Sequence, residues 1–160
     1  MKPNPATPTT IYQMLNAYEV FATKHAQIHS SMVGPLSELD VDKLDMTQMP
    51  VLFIVPGGLN VDVGAADLTL EIIIATEQPA DLESRSAVLS NMAYIIKDAI
   101  AMGHNHAYND NEPIPMRAIL EMPVQCEPFL ARFDNSLIGW TCQLTFNLDN
   151  RNDVCLIPIK

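Results

Sequence analysis

Residues 134–149 read Asp134-Asn135-Ser136-Leu137-Ile138-Gly139-Trp140-Thr141-Cys142-Gln143-Leu144-Thr145-Phe146-Asn147-Leu148-Asp149. Within them Ile138, Trp140, Cys142, Leu144, Phe146 and Leu148 alternate with Gly139, Thr141, Gln143, Thr145 and Asn147. Successive side chains of an extended strand point to opposite faces. One face is therefore apolar, with Trp140 on the core register, and the other is small, polar and uncharged. Such a strand belongs in a sheet covered on one side only, which favours antiparallel neighbours. A solvated face usually recruits Lys or Glu, so an uncharged one is a candidate subunit contact. An ordinary solvated face is the plainer reading, since threonine is at home in strands.

Other strands follow outward from this one. Pro50–Val55 reads as a short buried strand stopped by Pro56-Gly57-Gly58, with Leu59–Ala66 as a connection. Asp67–Thr76 turns Leu68, Leu70, Ile72 and Ile74 to the core and Thr69, Glu71, Ile73 and Ala75 away from it. Ile73 on that outer register hints at a covered surface. Met116–Cys126 alternates with Ala118, Leu120, Met122, Val124 and Cys126 inward and Arg117, Ile119, Glu121 and Gln125 outward. Pro123 places this strand at an edge or at a bulge. Glu127–Phe133 reads as a connection.

Two stretches carry helical periodicity. Ile11, Met14, Leu15, Tyr18, Phe21, Ala22, His25 and Ile28 recur at three- and four-residue steps behind a Thr9 or Thr10 cap, and Gly34-Pro35 is the expected stop. His25 on this stripe is expected to be packed rather than a ligand. The second helix is expected from an Asp81 cap to about Met102, with Val88, Leu89, Met92, Ile95, Ile96, Ala99 and Ile100 as its apolar stripe and Gly103 as its terminator. Two helices can cover one face of a sheet. The expected fold is α+β, a roughly four-stranded, mostly antiparallel sheet with two main helices packed on one face. Residues 9–160 form a single domain behind a flexible proline-rich arm at 1–8.

Composition narrows the function. With 160 residues, 48% of them hydrophobic, the chain is long enough for one domain with a real core and is not disordered as a whole. No apolar run reaches the roughly 18 residues of a membrane span, and Met1–Pro8 lacks the apolar core of a signal peptide, so a cytosolic chain is expected. The three cysteines, Cys126, Cys142 and Cys155, fall in no metal-ligand spacing and read as reduced, buried thiols. A net charge of −10, with nine basic residues scattered among nineteen acidic ones, argues against a grip on nucleic acid.

Chemistry-bearing motifs are scarce. His104-Asn105-His106, with Asp110 nearby, has the letters of an HNH nuclease but neither further ligands nor a basic path for DNA, and reads as a solvated loop. Asp40, Asp42 and Asp45 lie in an acidic loop without the glycine turn and closing Glu of a calcium site. Gly57-Gly58 is followed by neither a helix nor Gly-Lys-Ser/Thr, so it is no phosphate cradle. Ser84, Ser86 and Ser90 have no Gly-x-Ser-x-Gly elbow. No catalytic residue, metal ligand or cofactor site is expected.

The C-terminal third resembles a family. Glu127-Pro128-Phe129-Leu130-Ala131-Arg132-Phe133-Asp134, then Leu137-Ile138-Gly139-Trp140-Thr141, then Asn152-Asp153-Val154-Cys155-Leu156-Ile157-Pro158, resembles the C-terminal signature of tail-terminator or tail-completion proteins from the neck of tailed phages. The layout of residues 9–126 agrees, including Leu89-Ser90-Asn91 in the second helix. The resemblance is strong only over 127–158 and carries no active site. It implies a virion protein, assembled in the host cytoplasm as a self-associating ring, typically six-membered, that caps the tail tube. The implied partners are the tail tube protein and a neck connector or stopper protein, with DNA only in passage and no membrane. Sheet and loop residues would then meet neighbours or line the channel: Glu71, Ile73, Arg117, Arg132, Phe133, Asp134, Thr141, Gln143, Thr145 and Asn147. Alternatives are another neck ring such as a head-completion or stopper protein, a metal-dependent nuclease using His104 and His106, and a monomeric ligand-binding module with a pocket between helix and sheet.

Overall fold

The backbone of one long hairpin sets the frame. A computed structural model describes residues 11–38, 46–63, 65–105, 118–132 and 137–149. Its strands are β1 (Ser30–Val33), β2 (Val51–Asp62), β3 (Ala65–Glu77), β4 (Ala118–Leu120), β5 (Cys126–Arg132) and β6 (Leu137–Asp149), with helices α1 (Ile11–Lys24) and α2 (Leu82–Asn105). Hydrogen bonding runs β1-β2-β3-β6-β4, and β5 also pairs with β6. The α+β class stands. Among the described residues the sheet has six strands rather than four, and it is mixed, because β1 runs parallel to β2.

Each added strand has a local cause. Pro56-Gly57-Gly58 does not stop its strand. The ladder shifts by one residue between Pro56 and Leu59 and continues, so the expected connection is the far half of a hairpin. Glycine suits that bulge, since a Cβ on Gly57 would lie 2.6 Å from the Thr69 carbonyl oxygen. At the N-terminal end, α1 stops at Lys24, short of Gly34, and residues 30–33 leave as β1. His25 helps to end the helix: the Gln27 N–H donates to its Nδ1 at 3.2 Å. Gly34, with φ of +147°, then turns the chain away after β1. The expected strand over 116–126 is divided: β4 and β5 lie end to end along the same side of β6, and the span around Pro123 leaves the ladder. Edge placement of that proline holds, and Glu127–Arg132, expected as a connection, is strand.

The main core lies between the helices and one sheet face. Leu68, Leu70, Ile72 and Ile74 from β3 and Cys142, Leu144 and Phe146 from β6 meet Met14, Tyr18 and Phe21 of α1 and Met92, Ile95, Ile96 and Ala99 of α2. Helix α1 lies on β1 and β2, and α2 lies on β6, β3 and β4. Asp81 caps α2 as expected, its Oδ1 accepting the Ser84 N–H at 2.8 Å. Gly103 does not end α2. It is buried inside the helix, where a Cβ would stand 2.5 Å from the Tyr18 hydroxyl and 3.2 Å from Phe146. The expected terminator is thus a contact residue.

A smaller core sits on the opposite face. Val51, Phe53, Ile73, Ala75 and Leu137 are buried there, with Met32, Leu36, Met49 and Phe129 packed against them. Leu36 and Met49, at the described ends of the connection between β1 and β2, cover the outer face there. The expectation of a sheet covered on one side only therefore fails at this end. Thr9, Thr10, the arm at 1–8 and the C-terminal segment from 150 lie outside the described residues.

Candidate functional site

The rest of the outer face is a polar field built by register. Three rungs join β3 to β6: Asp67 opposite Asn147, Thr69 opposite Thr145, and Glu71 opposite Gln143. Directly paired residues share a face of the sheet, so all six side chains project outward. Two hydrogen bonds tie the field together. Asn147 Nδ2 donates to Asp67 Oδ1 at 3.0 Å, and Thr141 Oγ1 donates to Glu71 Oε1 at 2.9 Å. Thr141 and Asn147 thus serve here both as strand residues and as partners that satisfy two carboxylates.

Beside this field the departure of 121–125 from the ladder opens a cleft of about 550 Å³. Glu71, Thr141, Cys142 and Gln143 form its floor, and Pro123, Gln125 and Glu127 its wall. Two carboxylates and two amides line it, and no Lys or Arg does among the described residues. Glu71 and Glu127 stand on strands separated by β6, which puts their backbones roughly 10 Å apart. Among the described residues no three His, Cys, Asp or Glu gather as a metal group. The cleft offers hydrogen-bond acceptors, amide donors and negative charge. Such a lining suits polar or cationic groups.

The structure distributes the expected interface residues unevenly. Glu71, Thr141, Gln143, Thr145 and Asn147 come together on the outer face. Ile73 shares their register but is fully buried in the smaller core, so its covering is supplied by this chain. Arg132 ends β5, opposite Leu137 of β6, away from the polar rungs. Arg117, Phe133 and Asp134 lie outside the described residues, as do His106 and Asp110. His104 is exposed in the last turn of α2. The cleft lies on the face opposite the helices, not between helix and sheet. Sequence reading missed Gln125 and Glu127 as site residues because Pro128 disguises β5. The usable signal is that an edge strand tolerates proline.

His25 behaves as a packed residue. Its ring lies tilted against Phe21 with ring centroids 5.3 Å apart, and its Nε2 lies 2.9 Å from Asp98 Oδ2 on α2. Because Nδ1 accepts the Gln27 N–H, the hydrogen sits on Nε2 and is donated to Asp98. Exposed apolar side chains also occur at the hairpin tip, where Leu59, Val61 and Val63 are 50%, 57% and 93% exposed. Among the described residues no helix is long and apolar enough to cross a membrane. No protein-family model matches the chain, and no curated protein matches it.

Proposed function

We propose that this chain is a structural subunit that associates with copies of itself into a ring, and that the ring is a tail terminator at the neck of a tailed phage. The observation that carries the reading is the outer sheet face. From Asp67 to Asn147 it presents hydrogen-bonding side chains with no positive charge, on a rigid and fully paired pair of strands. Flat polar surfaces of this kind suit an interface of the wet, directional type. Phage identity rests on the C-terminal resemblance alone. The net charge of −10 agrees with a ring through which DNA passes without being held.

The test is a charge placed in the middle of the face. Thr145→Lys sits opposite Thr69, in the centre of the three rungs. It is expected to weaken self-association about tenfold or more, equivalent to about 1.4 kcal/mol, with the circular dichroism spectrum unchanged. Light scattering over a dilution series reads the effect. Association equal to that of the unaltered chain would remove this face from the interface.

A further inference from the structure

Two of the three cysteines face each other across an edge of the sheet. Cys126 on β5 and Cys142 on β6 are direct register partners. The kind of pair follows from a neighbour two residues away. Pro128 is opposite Trp140, and proline has no N–H, so that pair cannot exchange two backbone hydrogen bonds. Antiparallel pairs alternate between hydrogen-bonded and non-hydrogen-bonded. Glu127–Thr141 is then the hydrogen-bonded pair, and Cys126–Cys142 is again non-hydrogen-bonded. In that type the Cα atoms stand about 4.5 Å apart and the side chains approach most closely. Disulfides span Cα separations of about 4.4–6.8 Å, so backbone movement is not required.

The two thiols are free, and they are near enough that each shifts the other's acidity. They differ in access. Cys126 is half-buried on the edge strand, whereas Cys142 is 3% exposed. We propose that Cys126 and Cys142 form a dithiol site that closes to a cross-strand disulfide, with a low-molecular-weight disulfide as oxidant. The accessible Cys126 thiolate attacks one sulfur of oxidised glutathione. An S–S bond forms to Cys126, and one glutathione leaves as a thiolate and takes up a proton. Cys142 then gives up its proton and attacks the Cys126 sulfur, expelling the second glutathione. Two protein thiols lose two electrons, and one glutathione disulfide becomes two glutathione thiols.

The order fits the electrostatics. Burial pushes the Cys126 thiol up, and interaction with Cys142 offsets part of that. Burial pushes Cys142 higher, and its proximity to Cys126 adds to the rise. Closure at neutral pH is accordingly slow, and its rate grows about tenfold per pH unit while the thiolate fraction is small. The bond would fasten β5 to β6. Gln125 and Glu127, which flank Cys126 and form the cleft wall, would be held against Thr141 and Gln143. This inference is independent of ring formation.

The full chain is incubated with oxidised glutathione at about pH 8.5, where thiols are partly ionised. Remaining thiols are blocked with iodoacetamide, and the protein is digested without reductant and read by mass spectrometry. The expected product is an intrachain Cys126–Cys142 link, formed about tenfold or more faster than any other pairing because the partners are already adjacent, and reversed by dithiothreitol. The same link is expected in Cys155→Ser. Cys142→Ala is expected to stop at a glutathione adduct on Cys126. Should that variant fail to fold, Cys126→Ser decides, since it is expected to leave Cys142 unmodified in the folded chain. Cys126 and Cys142 both alkylated after oxidation, or linked preferentially to Cys155 or to another chain, would overturn the proposal.

Discussion

At the scale of single residues, one tight point of the structure is where α2 passes over Tyr18 and Phe146. Tyr18 is fully buried, its hydroxyl donating to the Ala99 carbonyl at 3.4 Å, and burial raises its phenol well above the ordinary range. Gly103 makes room for it. Helix propensity alone predicts that Gly103→Ala stabilises by up to about 1 kcal/mol. The new methyl would meet the hydroxyl at 2.5 Å and Phe146 at 3.2 Å, with Leu120 at 3.4 Å behind. Overpacking of this kind costs about 1–3 kcal/mol and outweighs the propensity gain. Urea denaturation of Gly103→Ala is expected to show a loss, and a gain would mean that Tyr18 moves freely. A second residue joins two layers: the Trp140 indole Nε1–H donates to the Leu89 carbonyl at 2.8 Å. Trp140→Phe removes this bond, while the Leu89 carbonyl keeps its partner in the helix, and is expected to cost about 0.5–1.5 kcal/mol, read in the same experiment.

At the scale of elements, α2 is the best-defined unit, and its start was legible in the sequence. Asp81 accepts the Ser84 N–H, and this hydrogen bonding holds its carboxyl below the usual carboxylate range. The depressed value fixes the sign. Its contribution is complete above the unfolded pKa near 3.8 and disappears as pH falls through the folded value. Asp81→Ala is thus expected to lower the melting temperature at neutral pH, and its deficit against the parent chain should shrink toward about pH 3, below the ordinary carboxylate pKa. A deficit independent of pH would show that the carboxylate charge is not the source. The periodicities of β3, β6 and both helices were equally readable, because each alternates or repeats over several turns with one buried side. What escaped was punctuation. Pro56-Gly57-Gly58 has the letters of a stop and acts as a bulge, Pro128 has the letters of a loop and sits in an edge strand, and Gly103 has the letters of a cap and acts as a contact. In each case the deciding partner (Thr69, Trp140 or Tyr18) is far away in the chain. The polar face was visible in the alternation of β6, whereas the wall of the cleft was not, since it depends on how 121–125 leaves the ladder.

For the whole molecule, the architecture divides labour between the two sides of one sheet. The helices and the main core occupy one side. On the other, Leu36, Met49 and Phe129 pack on a small core at one end, and the polar rungs and the acidic cleft lie at the other. The side away from the helices is where the chain can meet a copy of itself without disturbing its core, and we propose that it does so in a closed ring. A ring of three or more subunits demands that one patch of each subunit meet a different patch of the next, so in such a ring the outer face must find its complement elsewhere on the same chain. The most direct measurement is the mass and shape of the native assembly, by native mass spectrometry and single-particle imaging of the unaltered protein. The account predicts one discrete oligomer, a whole-number multiple of 17.7 kDa, with a central opening. A monomer that persists at the highest accessible concentration would contradict it.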